Sequence, residues 1–455
     1  MGNKRNLLQG NTVINLLAVS VPTMMGFAFQ MVYDLVDLMW IGRISSQAIA
    51  GVTIFTTIFW MVEVLNGIIG MSSVSLISQN FGKGDMDRTA AAIEQTFTFK
   101  ALVAIIAGAL MLVILKPLLN FFTKDPQVLK AALDYGYIRT FFLPVMFSSY
   151  TINTAFRCIG DAKKPMIIML ISSVLNCILD PIFMFDTIPG TSLPGFNMGV
   201  FGAALATVIS ITVAFIIAFI ILMKNDKVKI NMKRSFKLDW EMDKKLITIG
   251  LPSGIETLSR NLVGIFTLKF VAVYGTAAVA AMGIGNRLFG FAFMVLIGLS
   301  MGGSSITGQC IGANDVHRAK VTAREAAIIG TGFMAVFAVL AIIFPKAILG
   351  IFVSEPDVIL IGISMLKLGT FGLVFAGITI GLGCVFSGAG YNIPYLVSSV
   401  VGRWCVQIPL LFVVVTLLHL PIIWVWLVFL AAEIAEMLVI VIAYKKGTWA
   451  TYKVC

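Results

Sequence analysis

Charge is what this sequence has least of. Of its 455 residues only 12% are Asp, Glu, Lys or Arg, where a soluble domain carries about a quarter. So little charge cannot cover a chain of this length with a solvated surface, which excludes a soluble globule. Histidine is nearly absent too: His317 and His419 are the only two. No His, Cys or Asp set has the spacing of a metal site or a nucleophilic triad. No glycine-rich loop ends in Lys-Ser or Lys-Thr, so ATP-driven chemistry is excluded as well. The chain is therefore expected to be no enzyme and to need no cofactor. The six cysteines, Cys158, Cys177, Cys310, Cys384, Cys405 and Cys455, read as small apolar residues without disulfides. The N-terminus is expected to carry no cleavable signal, because its first apolar run is too long and no small-residue cleavage site follows. Polar and apolar residues do not alternate, which excludes a membrane barrel.

What the sequence has instead is hydrophobic residues, at 59%. They fall in runs long enough to cross a hydrocarbon core of about 30 Å as helices, and in lipid such runs must pair their backbone groups internally. Twelve spans are expected, at roughly 13–41, 47–80, 93–116, 131–156, 166–186, 199–223, 246–274, 277–308, 325–344, 357–386, 397–418 and 422–444. The net charge of +11 follows this topology. One set of loops and tails holds 21 basic residues, among them Lys83, Arg88, Lys163, Lys164, Lys224, Lys245, Arg318 and Lys446, while the opposite loops hold Arg43, Lys116, Lys124, Lys130 and Lys346. The positive-inside rule then puts both termini in the cytoplasm. No basic soluble face exists for nucleic acid.

The chain also resembles itself at an offset of 230 residues. Pro22 falls on Pro252, and Ala48 and Ala50 on Ala278 and Ala280. The segment Gln79–Arg88 falls on Gln309–Arg318, giving Q-x-x-G-x-x-D-x-x-R twice, and Phe156 and Gly160 fall on Phe386 and Gly390. Composition alone would not align loop glycines, prolines and charges. The implied fold is an all-α polytopic membrane protein of two pseudo-symmetric six-helix lobes. The expected limits are 1–223 for the first lobe, 224–245 for a cytoplasmic linker, and 246–455 for the second lobe with its tail. Six helices per lobe is an even number, so the repeats are parallel, an arrangement that transporters use for alternating access.

Acids at membrane depth are functional candidates by default. Asp34 and Asp37 are three residues apart and share a helix face, as do Asn176 and Asp180, four apart. At the repeat offset these four fall on Gly264, Thr267, Val406 and Leu410, so the first lobe has acquired a polar centre of its own. Clustered carboxylates in a low dielectric repel each other, which suits a group that takes up and gives back a proton. Alternatively, carboxylate, amide and hydroxyl oxygens suit a hard cation such as Na⁺. A static polar cluster joining helices is the plainer reading. Glu63 lies at the same depth. Glu256 and Arg260 form a secondary candidate, as an intrahelical pair. Glu433 and Glu436 are expected to lack partners, and Lys269, Lys367 and Arg139 to snorkel toward an interface. Pro22, on the helix of Asp34 and Asp37, marks a weak point where that helix can bend. Gly298–Ser305 favours close helix approach. Methionine at 23 and phenylalanine at 34 residues suit an adaptable site for amphipathic cations.

Together these motifs resemble the multidrug and toxic compound extrusion (MATE) family, in its prokaryotic DinF-like branch. The resemblance covers essentially the whole chain. It is carried by the doubled Q-x-x-G-x-x-D, by Arg157–Pro165, by Val36-Asp37-Leu38, by Asn176–Phe183, by Gly202–Thr207 and by Lys446–Trp449. It implies multidrug efflux from a multi-pass protein of the cytoplasmic membrane, by antiport with H⁺ or Na⁺. The coupling site it implies is Asp37, Asn176, Asp180 and Thr207, with Pro22 as the hinge. Asp34 departs from the family pattern, which often has an amide there. Amphipathic small molecules and the lipid bilayer are the expected partners, and a monomer the expected state. No metal is expected beyond Na⁺ at the coupling site. A lipid-linked sugar flippase of the same superfamily is the alternative; it would want a cationic cavity for pyrophosphate.

Overall fold

The structure is a computed structural model that describes residues 6–231 and 238–454. Lys4, Arg5, Lys233, Arg234, Lys237 and Cys455 therefore lie outside the described residues. The described residues form helices and no named strand. In order these are α1 (Thr12–Ile44), α2 (Ser46–Lys83), α3 (Met86–Phe122), α4 (Pro126–Phe141), α5 (Leu143–Cys158), α6 (Lys163–Met184) and α7 (Gly199–Met223), followed by α8 (Trp240–Ala272), α9 (Thr276–Gly312), α10 (Val316–Ile343), the single turn α11 (Pro345–Gly350), α12 (Pro356–Ala389), α13 (Ile393–Leu417) and α14 (Ile423–Lys446). Ten of them are long and apolar enough to cross a membrane.

Burial along these helices is that of a membrane protein. On α3, Ala104, Gly108, Met111 and Leu115 are buried, while Ile106, Leu110 and Val113 on the other face are 53%, 61% and 78% exposed. Both faces are apolar, so the outward one fits lipid and not water.

The expected span at 131–156 is a correction. It is two helices, α4 and α5, separated at Phe142 with Pro144 directly after the break. Proline has no N–H to continue the ladder. At the repeat position stands Val374, and there α12 runs unbroken for 34 residues.

The doubled motif is a pair of capping turns. Gly84 closes α2 in the left-handed region at φ 84°, and Asn314 occupies the equivalent position at φ 62°. The next residue is an N-cap in both halves: Asp85 Oδ1 accepts from Arg88 N and Asp315 Oδ1 from Arg318 N, each at 2.9 Å. Each thus satisfies an otherwise orphaned amide at a helix start.

The chain divides into two compact units. Unit 1 is Met1–Met24 with Ile249–Cys455, and unit 2 is Met25–Thr248. The division falls inside α1, two residues after Pro22. Up to Met24, α1 packs on the glycines of α9: a side chain at Gly302 would run into Ser20, and one at Gly298 into Met24. Beyond it, Gly26 faces Met169 of α6 in unit 2. Gly298–Ser305 is thus the close-approach surface its composition predicts.

Candidate functional site

In unit 2 the polar groups converge from four helices. Asp37 on α1 is 7% exposed. Its Oδ2 accepts a hydrogen bond of 3.0 Å from Tyr135 Oη of α4. Tyr135 Oη accepts one of 3.0 Å from Arg139 Nη1, one helical turn on. The Arg139 guanidinium also lies 5.3 Å from the ring centre of Phe59, a placement that aromatic faces favour for a cation. Asp34, Asp37 and Glu63 are all within its electrostatic reach. Arg139 is therefore no snorkelling residue; it is a resident cation among acids, because Tyr135 and Phe59 hold its head inside the unit.

The second half comes from α6 and α7. Asn176 Nδ2 donates to Asp180 Oδ1 at 3.1 Å and to Thr207 Oγ1 at 3.3 Å. Thr207 Oγ1 donates to the carbonyl of Ala203 at 3.1 Å. Asp180 is completely buried and feels the charge of Asp37, so the two halves are one electrostatic group. Pro181 lies within α6 and cannot donate to the carbonyl of Cys177 one turn back. Three buried oxygens here receive no hydrogen bond: Asp37 Oδ1, Asn176 Oδ1 and Asp180 Oδ2. Leaving one such acceptor unmet costs about 1–3 kcal/mol. Three together form a set of oxygen acceptors that a proton or a hard cation would satisfy, so the residues present fit H⁺ or Na⁺. Asp34 stands apart: it is exposed on the surface of the unit and takes no part in these hydrogen bonds. Pro22 is buried in the part of α1 that belongs to unit 1.

Unit 1 holds a different cluster. Arg260 on α8 pairs with Glu256 at 2.8 Å, the expected intrahelical pair, and with Glu436 of α14 at 3.2 Å. Arg403 on α13 pairs with Glu433 and, at 2.5 Å, with Glu436. Glu433 and Glu436 thus have partners, against expectation. Gly402 makes this possible, since a side chain there would overlap that of Glu436. The surrounding turn of α13, Val400–Gln407, is π-helical, a widening often found at functional sites. Gln407 Nε2 donates to Thr267 Oγ1 at 2.9 Å, and Thr267 occupies the repeat position of Asp37.

Tyr135 and Arg403 are the residues that sequence reasoning missed, and Arg139 is one to which it gave the wrong role. A signal existed in the repeat: Arg139 falls on Gly369, Arg403 on Ser173, and Glu433 and Glu436 on Ala203 and Ala206. Each charged residue of these clusters falls on an uncharged one at the same register in the other half.

Comparison with known proteins agrees with this architecture. The MatE family profile matches twice, at residues 22–182 and 252–413, and the two matches begin at the same offset that the repeat shows. The chain is 27% identical over 437 residues to the "Probable multidrug resistance protein YoeA" of Bacillus subtilis, covering 94% of this chain and 92% of that one. It is 26% identical over 436 residues to the "Multidrug export protein MepA" of Staphylococcus aureus, covering 93% and 92%. Its fold superposes on a MOP superfamily transporter from Pyrococcus furiosus with a TM-score of 0.87 at 21% identity, covering 98% and 97%. It also superposes on a MATE structure described as the bent conformation, with a TM-score of 0.85 at 22% identity, covering 97% and 96%.

Proposed function

Because the chain belongs to the MatE family, we propose that it is a secondary antiporter that exports amphipathic, cationic drugs or metabolites in exchange for H⁺ or Na⁺. It works in the cytoplasmic membrane of a prokaryote, as a monomer with both termini in the cytoplasm. The observation that carries this reading is the set of three unsatisfied oxygens on Asp37, Asn176 and Asp180. A coupling ion needs a site that is incomplete without it, and a static cluster would have closed these oxygens on donors of its own.

In this reading H⁺ or Na⁺ binds at Asp37 and Asp180, with the Asn176 and Thr207 oxygens assisting and Asp34 adding to the local field. The coupled carboxylates titrate as a set. Loading removes net negative charge beside α1. That changes the hydrogen bond from Tyr135 and favours a bend near Pro22, where α1 passes from one compact unit to the other. The bent form binds a cationic substrate less well, so ion and substrate compete through their different affinities for two states.

The test is ethidium efflux from proteoliposomes, driven separately by imposed H⁺ and Na⁺ gradients. Asp37→Asn and Asp180→Asn should each abolish gradient-driven efflux while the protein still folds and inserts. Full efflux from both variants would overturn the assignment. Movement of an anionic lipid pyrophosphate with no movement of ethidium would replace it with the flippase reading.

A further inference from the structure

The ion pairs of unit 1 engage Glu256, Glu433 and Glu436 with Arg260 and Arg403 and do not reach Arg287 of α9. Among the described residues Arg287 takes part in no hydrogen bond, ion pair or ring contact, and Asn286 beside it in none either. Arg287 stands 11 residues after the start of α9 at Thr276 and 25 before its end at Gly312. At 1.5 Å per residue the nearer end is about 16 Å away, so the residue lies well inside a hydrocarbon core of about 30 Å. That is beyond the reach of a snorkelling side chain.

Arg287 is nevertheless exposed, and so is the strip of α9 around it. Gly283, Asn286, Arg287 and Gly290 are all exposed and follow one another at the three- and four-residue spacing of one helix face. An added Cβ at Gly283 or Gly290 would meet nothing within 4 Å. Between these two glycines α9 exposes no large apolar side chain. The other arm of the hairpin, α8, has a matching strip in Arg260, Asn261 and Gly264, exposed and again open at the glycine. Arg260 stands 12 residues before the end of α8 at Ala272, level with Arg287. The two arms are joined near those ends, where Val271 shares a core cluster with Ala278 and Met282. A lipid-facing strip is different: on α8 itself Leu258, Leu262 and Ile265 form one, all exposed and all large. Ionisable residues at this depth face protein or a water-filled cavity. With no protein group on Arg287, its strip faces water. The repeat does not supply it: Asn286, Arg287 and Gly290 fall on Thr56, Thr57 and Trp60.

We propose that Arg287 is an anion-binding residue: the α9 strip of unit 1 is a site for the carboxylate of an amphipathic small molecule, with Asn286 as a neighbouring hydrogen-bond donor. The chemistry of the strip selects that ligand. A guanidinium presents a planar fork of donors that matches a carboxylate with two parallel hydrogen bonds. The mid-membrane acids of unit 1 are held by the other two arginines, so the counter-charge for Arg287 arrives with the ligand. Phe291, four residues on along the same face, is 42% exposed and offers an aromatic ring to the apolar body of the ligand. Gly283 and Gly290 let that body approach the backbone closely. The proposal goes beyond the antiport reading, which assigns the substrate a positive charge only. It does not depend on that reading, because the site is read out by binding with no ion gradient.

The experiment uses the full-length protein in phosphatidylcholine nanodiscs and two dyes with one ring system. Rhodamine 110 carries a free carboxylate, and rhodamine 123 is its methyl ester. Binding of each is measured by fluorescence anisotropy for wild type, Arg287→Gln and Arg287→Lys. Arg287→Gln should weaken rhodamine 110 by about tenfold or more, the loss of a charge-assisted pair, and leave rhodamine 123 as in wild type. Arg287→Lys should fall between, because it keeps the charge and loses the fork. Both variants should melt with wild type, since Arg287 contacts none of the described residues. A wild type that binds rhodamine 110 no better than empty discs do would overturn the site. So would an equal loss of both dyes in Arg287→Gln, or no loss of either, which would leave Arg287 a solvated cation. A final arm adds phosphatidylglycerol to the discs, and rhodamine 110 should bind wild type as before. Competition by that lipid, absent in Arg287→Gln, would give the strip to a lipid headgroup and overturn the assignment to a small molecule.

Discussion

Residues of two kinds make the polar sites, and they differ in how openly the sequence displays them. Asn176 and Asp180 stand four apart on one helix, so their hydrogen bond of 3.1 Å follows from helical geometry alone. Tyr135 and Arg403 act on partners from other helices, and those pairings exist only once tertiary packing has chosen which helices touch. Depth was the misleading cue for Arg139: a long cation near a span end normally snorkels, yet here an aromatic face and a tyrosine hydroxyl draw it inward. The network of unit 1 gives a residue-scale prediction. Glu436 is 3% exposed at its side chain and bonded to two arginines. Glu436→Gln takes one carboxylate from each guanidinium and leaves Arg260 only Glu256 and Arg403 only Glu433, so it disturbs two contacts at once at a cost below the about 3–5 kcal/mol of an unpaired buried charge. Glu433→Gln leaves Arg403 its contact with Glu436 and should cost less. Thermal unfolding in detergent, followed by tryptophan fluorescence, should rank Glu436→Gln well below Glu433→Gln. Equal melting temperatures for the two variants would defeat this ranking, and melting of both with wild type would show that the network contributes nothing to stability.

Elements were legible wherever length and hydropathy decide them, and less so where one residue changes the backbone. The division of the expected fourth span into α4 and α5 turns on Pro144, and Val374 at the same register in the other half leaves α12 whole. The capping turns show the same sensitivity. Gly84 holds its left-handed conformation without strain, while Asn314 holds an equivalent one at φ 62°, tolerable for asparagine but not free. Asn314→Gly should therefore stabilise the protein by up to about 1 kcal/mol, and Gly84→Ala should destabilise it by a similar amount. Opposite melting shifts for the two variants would bear this out; shifts of the same sign would not. At the junction of α1, Gly302 lies against Ser20 so closely that any side chain must push the helices apart. Gly302→Leu should overpack this contact at a cost of about 1–3 kcal/mol. Its effect should exceed that of Gly332→Leu, whose position has open space around it.

At the scale of the whole molecule, duplication explains the fold and divergence explains why the two halves carry different polar centres. Two copies of one six-helix pattern supply the helices and capping turns, and neither copy's charged centre has a counterpart at the same register in the other. Which way the molecule faces then decides what the unit 2 centre can do. Asp37, Asp180 and Thr207 lie toward the helix ends at Ile44, Met184 and Gly199, the side whose loops hold few basic residues. The opposite loops and tails hold 21 basic residues against 5, the bias on which the proposed cytoplasmic placement of that side rests. Local acids do not cancel it: Asp85 pairs with Arg88, Asp161 with Lys164 and Glu241 with Lys245, but acidic residues count little in setting orientation. On the proposed topology the unit 2 oxygens face the outside, the side from which an energised membrane would supply H⁺ or Na⁺ to the proposed antiporter. In a cysteine-free background, Thr191→Cys, in the loop between α6 and α7, should be labelled in intact cells by a membrane-impermeant maleimide. Ser235→Cys, in the linker outside the described residues, and Thr451→Cys, beyond α14, should be labelled only after the cells are opened. The reverse pattern would turn the centre toward the cytoplasm, where an inward-directed ion gradient could not load it, and the direction of coupled transport would have to be reversed with it.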